Sequence, residues 1–547
     1  MLHSTAPVLF ESTDAVEVQR DPANEVWLAV VAAVCGALFE VLARRYYAAL
    51  YHFRQQRHRA QLRNRTEVVA PSRQQALEGM LEELTARKAG REGESGTAGS
   101  NTFVEAGPDR EDESLPEALR DFSKPPPPLK GLLSGPGRPP ADALCLTRAF
   151  LAAPLLGVDD SPTSVFNLLH SNPTFARACD FLGRDAMKQP DELTSRRLPS
   201  RAVCEEFSEV MTRYGLWQFA RLGQVRENVA SGVVEIEDTL AFDTTHIEAN
   251  SHCGKVVPPD AKAEEGKKPK QRKVPRMRKT CDCGKERWDS CGHPWTPTDD
   301  GAAVVVKGPT RVYWAHKASV VSLGDSEIPI DARALQYAAE HDGKTLVPHL
   351  ELLERDLRDF VEALRHVLAD DAYRANEEEV RRFGQQARLH VPVHPNRRSK
   401  AELAAIFDGI NRFTPIGVPV CEAKHRFQMW GRDLESERYI WAAPDDEDGN
   451  SVCSGCPFAS TCLRKGTRRH IRVDRADFPQ IDWAHPQHFA RNRTRYQMRT
   501  GVERAIKRLK VDLRGEHLTH RDGQRVQAHL DRKLLTLHLL LKVADTG

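Results

Sequence analysis

The pattern of apolar and polar positions changes character several times along the chain, and each change marks an element. Val26–Phe39 (VWLAVVAAVCGALF) runs fourteen residues without a charge, short of the roughly 20 that cross a bilayer, and predicts a buried helix. Extension through Ala43, with Arg44 and Arg45 as flanks, gives the alternative of a membrane anchor. Residues 137–220 carry apolar side chains at helical spacing, as in Leu144, Phe150 and Leu151, then Val165, Leu168 and Leu169, then Phe207, Val210 and Met211. They predict a small helical unit, with Asp159–Ser161 and Ser200 as N-caps and Pro162 in a first helical turn. From Val233 the pattern shifts to strands: Val233–Ile236, Leu240–Ile247, Arg311–Leu323 and Glu327–Asp331. A helical stretch Thr345–Arg365, a buried strand His366–Ala369, a charged helix near Asn376–Phe383 and a strand Leu389–Val393 follow. Strands first, then alternating helix and strand, predict an α/β unit on a mixed sheet.

Composition refines this picture more than it changes it. The 547 residues suggest about three to four domain-sized units. Residues 52–128 begin Arg/Gln-rich, turn to Gly, Ser and Glu and end in Pro125–Pro128, too polar to offset chain entropy, and predict a disordered linker with one isolated helix near Gln74–Arg87. The predicted layout is an apolar helix region at 1–51, the linker, a helical unit at 129–225, and an α/β unit at 226–547 interrupted at about 255–300 and 412–475. Lys and Arg total 79 against 77 Asp and Glu, a near-neutral sum that hides two basic segments. Eight of the thirteen residues at 267–279 are Lys or Arg, and nine more basic residues lie between Arg491 and Arg514; both suit a polyanion such as DNA.

Seven of the twelve cysteines fall in two groups. Cys421, Cys453, Cys456 and Cys462 have the number and spacing of a structural zinc site, and so do Cys281, Cys283, Cys291 and His293. Clustered thiols favour metal in a reducing compartment, hence a cytoplasmic protein without a membrane partner.

Three acids stand out by position. Asp243 lies mid-strand in LAFDTTHIEA, where a carboxylate is costly unless paired or holding a cation. Asp370 follows the apolar run 366–369, at the carboxyl end of a strand, the usual mouth of α/β sites. Glu503 lies in a helical segment, Tyr496–Lys510, where Tyr496, Arg499, Glu503 and Lys510 at i, i+3, i+7 and i+14 fall within a narrow arc. Three such carboxylates can hold two divalent cations about 3.5–4 Å apart for in-line phosphoryl transfer.

The helix Tyr496-x2-Arg499-x3-Glu503-x6-Lys510 resembles the Tyr-Arg-Glu-Lys signature of DDE transposases of the bacterial IS4-like superfamily. FDTTHIEANS around Asp243 and Asp370-Asp371-Ala372-Tyr373 resemble the strands bearing the first and second catalytic aspartates, with the ligand at Asp370. The cysteines at 421–462 are similar to the Cys-rich insertion of the IS1182-like group. Over residues 130–545 the resemblance implies an RNase H-like catalytic domain, a helical DNA-binding domain before it, and cleavage and strand transfer at insertion-sequence ends. It further implies Mg²⁺ or Mn²⁺ held by Asp243, Asp370 and Glu503, DNA contacts from Tyr496, Arg499, Lys510 and Lys507, and double-stranded DNA and a second copy of the chain as partners. An inactive DNA-binding relative and a nuclease without strand transfer are the alternatives.

Overall fold

A computed structural model describes residues 28–61, 140–181, 196–250, 253–256, 272–275, 299–307, 311–335, 340–392, 407–474, 486–516 and 518–546, a few single positions apart. Cys281, Cys283, Cys291 and His293 lie outside the described residues.

After a helical turn at 30–33, helix α1 (37–61) is amphipathic and buries Phe39, Leu42, Tyr46, Tyr47 and Leu50. It packs on a helical unit formed by α2 (Ala143–Ala152), α3 (Pro162–Ser171), α4 (Pro173–Ala178), α5 (Arg201–Arg213) and α6 (Leu216–Ala230). One core joins them, with Phe150, Phe207 and Trp217 at its centre. Ser161 and Ser200 cap α3 and α5 through Ser164 N–H and Val203 N–H. The Val26–Phe39 stretch thus contributes to this core from Val30 onward, and no helix among the described residues is long and apolar enough to cross a membrane. Helix α1 continues ten residues past the boundary expected at 51, because its polar end finds partners on α5. Arg54 makes a bidentate pair with Glu206 at 2.9 and 2.6 Å, and His52 lies 3.1 Å from the Tyr214 hydroxyl just beyond α5.

The α/β unit is a mixed sheet. Its middle order is β6 (Pro329–Ala334), β5 (Arg311–Leu323), β1 (Thr239–Glu248), β7 (His366–Leu368) and β8 (Arg388–His390). Strands β1, β7 and β8 run parallel, while β5 is antiparallel to both β1 and β6. The short strands β2 (Cys253–Val256), β3 (Arg272–Pro275) and β4 (Ala303–Lys307) extend the far end of β5. Residues 233–236, expected as a strand, are not one: Val234 drops into the core below the sheet while its neighbours bridge α6 to β1.

Alternation along β1 sorts its side chains between the two layers. Leu240 and Phe242 face α7 (Leu346–Asp356) and α8 (Arg358–Ala363), in a core with Leu350 and Phe360. Ala241 and Ile247 face the opposite layer, with Val502, Leu509 and Leu530. A short helix α9 (Glu377–Val380) leads into β8.

Residues 407–474 form a unit with its own core: a hairpin β9 (Ile410–Phe413) and β10 (Pro419–Cys421), a three-stranded sheet β11 (Gln428–Asp433), β12 (Arg438–Ala442) and β13 (His470–Asp474), and one turn of helix α10 (Ala459–Cys462). The chain then returns through α11 (Ala490–Gln497), α12 (Thr500–Lys507), a π-helical turn Arg508–Asp512, and the long α13 (Gly523–Thr546).

Two buried ion clusters bind the layers. Arg221 of α6 meets Asp331 of β6 and Asp531 of α13 at 2.8 Å each, and His349 Nδ1 lies 2.6 Å from Asp331. Asp160, ahead of α3, accepts from Arg532 Nε at 2.7 Å and lies 3.0 Å from His529 Nδ1 and 3.8 Å from Lys533 Nζ. Removing one partner of such a group leaves a charge without compensation in a dry interior.

Candidate active site

Asp243 shares the parity of Ala241 and Ile247, so its carboxylate emerges on the α12 face of β1, where the apolar packing gives way to polar groups. The Thr244 N–H donates to it at 2.8 Å. Asp370 follows β7, and its Oδ1 accepts from Ala372 N–H at 2.9 Å, fixing it at the head of a 3-10 turn. Its neighbour Asp371 turns away to Arg374, 2.7 Å off. Because β1 and β7 are adjacent and parallel, the two aspartates open at the same end of the sheet.

Glu503 comes from α12 and is linked to Asp243 through Arg499. The Arg499 guanidinium donates to Glu503 Oε1 at 2.7 Å and to Asp243 Oδ2 at 3.3 Å, bridging two of the three acids. Tyr496 donates its hydroxyl to the carbonyl of Ala369, beside Asp370, at 3.3 Å. Lys510 donates to the His246 carbonyl at 2.9 Å and lies 3.1 Å from Glu516. The four residues do share one side, but not on the single regular helix that their spacing suggests. Bonds of i+3 type at Met498, Arg499, Gly501 and Val502 tighten the junction of α11 and α12. Beyond α12, the Leu513 N–H bond to the Arg508 carbonyl, five residues back, widens the turn that carries Lys510. Lys507 is exposed on α12, whereas Arg504 is taken up by Glu327 in the β5–β6 turn.

Burial, and then the charges of Asp370 and Glu503, hold the Asp243 carboxyl above the usual carboxylate range, against the Thr244 N–H and Arg499. Asp370 is raised too, first by burial and then by Asp342 and Asp371. Burial pushes Tyr496 up to about 12, so it stays a donor. Asp342 is a group that sequence reading misses: it sits in the turn before α7 and pairs with Lys317 of β5. Neither residue stands out from its neighbours in the chain.

Residues 420–539 match the family model described as a transposase DDE domain. The chain carries a DDE transposase domain. No curated protein matches it. The matched DDE segment spans the cysteine group, α11, α12 with Glu503, and most of α13. Asp243 and Asp370 lie before it in sequence and meet it through the sheet. DDE transposase domains generally use divalent metals, and the donor chemistry here fits them: three carboxylates and no thiol or imidazole favour a hard cation such as Mg²⁺ or Mn²⁺. Arg499 already places positive charge between Asp243 and Glu503. The three acids stand around Arg499 without all closing to 4.8 Å; among the described residues the group of donors that close is Asp160, His520 and His529. That group is buried, and Arg532 and Lys533 already neutralise Asp160. A dication there would face two cations in a dry site, so the group is a structural ion cluster.

Proposed function

We propose that the protein is a transposase of the IS4-like superfamily, nearest in layout to the IS1182-like group, that cleaves DNA at insertion-sequence ends and transfers the freed strand. The observation that carries this is the meeting of Asp243, Asp370 and Glu503 at one sheet end, inside a chain whose C-terminal part matches a transposase DDE domain. The sheet order β6-β5-β1-β7-β8, with antiparallel strands on one side of β1 and parallel strands on the other, supports an RNase H-like domain into which residues 407–474 are inserted. Asp243, Asp370 and Glu503 are assigned to hold Mg²⁺ or Mn²⁺. When bound, two such ions lower the pKa of the attacking water or 3′-hydroxyl and balance charge on the leaving oxygen.

The remaining residues do separate work. Arg499 neutralises the acid cluster and stands where a phosphate oxygen would arrive, as a bidentate donor. Tyr496 and Lys510 have their polar atoms on Ala369 and His246, which makes them positioning residues for the segments bearing Asp370 and Asp243. Lys507, exposed on α12, is the direct DNA contact. Replacing Lys507 with Ala is expected to weaken DNA binding and to lower the slope of log affinity against log salt by about 1. Electrophoretic or anisotropy titrations across a salt series check this.

Purified protein incubated with Mg²⁺ and duplex DNA ending in the inverted repeats that flank its gene tests the function. Cleavage with joining is the expected result. Cleavage alone would make it a nuclease, and binding alone an inactive relative.

A further inference from the structure

We infer that Cys421, Cys453, Cys456 and Cys462 form a tetrathiolate zinc site that organises the β-rich unit at 407–474 and seats it against α11. This stands apart from the DDE reading and can fail without it. Cys421 ends β10, Cys453 and Cys456 occupy the turns after β12, and Cys462 ends α10. The sequence separates the first from the last by 41 positions, yet all four line one pocket of about 20 Å³, together with apolar groups such as Ile410 and Phe427 and with Glu422, His425 and Arg469. That volume holds one water-sized particle.

Three observations favour a metal over four ordinary thiols. All four are free and half-buried, in contrast to Cys145, Cys179 and Cys204, which are fully buried in the helical core. Gly409 (φ +74°) faces them, and a Cβ there would stand 2.5 Å from Cys462 Sγ, so only glycine permits that sulfur to sit where it does. The unit's own core is nine buried hydrophobic side chains under two small sheets, a scale at which small units usually need a metal or a disulfide. The sulfurs are spaced more widely than in a closed site, since no three lie within 4.8 Å of one another. Zn²⁺, with Zn–S near ~2.3 Å and tetrahedral preference, would draw them together, and its binding energy would become folding energy of the unit.

The ion would act on the catalytic side through His488. That ring lies 4.7 Å from Trp441 and 5.6 Å from Tyr439 of β12, and 4.7 Å from Phe489, which caps α11. A loosened β12 would therefore loosen the helix that precedes Arg499 and Glu503.

The test uses the full chain purified without chelator. Elemental analysis should find one equivalent more zinc than in the Cys453→Ser/Cys456→Ser variant. In the wild type, mass mapping of iodoacetamide-treated protein should show these four cysteines protected until a chelator is added, a readout that does not depend on any variant folding. Equal zinc in the two proteins, or alkylation at the four positions equally fast with and without chelator, would overturn the assignment.

Discussion

Asp243→Asn, Asp370→Asn and Glu503→Gln are each expected to lower DNA-end cleavage by about a thousandfold or more, with DNA binding kept within a few-fold. Single preorganised groups that stabilise transition-state charge contribute on the order of 10²–10³, and members of one catalytic unit cost more because they act together. Binding should survive because the proposed phosphate contacts come from the basic residues around α12 rather than from the acids. The same substitutions carry an opposite effect on the metal-free fold. Folding raises the carboxyls of Asp243 and Asp370 above their ordinary range, chiefly by burial, so at neutral pH each charged carboxylate costs stability. The sign follows: the two asparagine variants should melt above the wild type in EDTA, with the gap closing as divalent ions stabilise only the wild type. Gel-based cleavage assays and thermal melts with and without Mg²⁺ read both effects. Loss of cleavage together with loss of folding would argue that these acids are structural.

Asp160→Ala is expected to destabilise the protein by about 3–5 kcal/mol, the usual cost of stripping one partner from a buried ion cluster. It would leave the Arg532 guanidinium and Lys533 ammonium buried without the carboxylate that both pair with, and His529 without its partner. Arg532, Lys533 and His529 hold Asp160 well below the ordinary carboxylate range in spite of burial. Its stabilisation is therefore present above the unfolded-state value near ~4 and disappears as pH falls through the depressed folded value. The deficit of the variant should be full at neutral pH and shrink in acid. Denaturant unfolding at pH 7 and below pH 4 checks both parts; a deficit under about 1 kcal/mol at neutral pH would show that the cluster does not join the helical unit to α13.

Much of this was legible in the chain, for identifiable reasons. Strand β5 runs Arg311–Leu323 as the apolar pattern indicates, because a strand covered on both faces leaves a long apolar run. Asp243 and Asp370 could be picked out because a carboxylate inside or at the end of such a run is costly without a purpose. The residues at 233–236 misled because one buried side chain, Val234, mimics a strand. The helix at 496–510 misled in a different way. Its side-chain spacing is right for a regular helix, while its tightened junction and π-helical turn are set by packing against β1 and the β5–β6 turn. Asp342 and Lys317, and the Asp160 cluster, had no local signature: Asp160 and His529 are 369 positions apart, and only the closing of α13 onto the helical unit brings them together.

The central claim is that Asp243, Asp370 and Glu503 hold the catalytic cations. Anomalous diffraction from crystals soaked in Mn²⁺ tests it most directly. The predicted result is anomalous density between Asp243 and its two partner acids, lost in Glu503→Gln or reduced to one peak. Manganese at Asp160, His520 and His529, or none at the three acids, would contradict it.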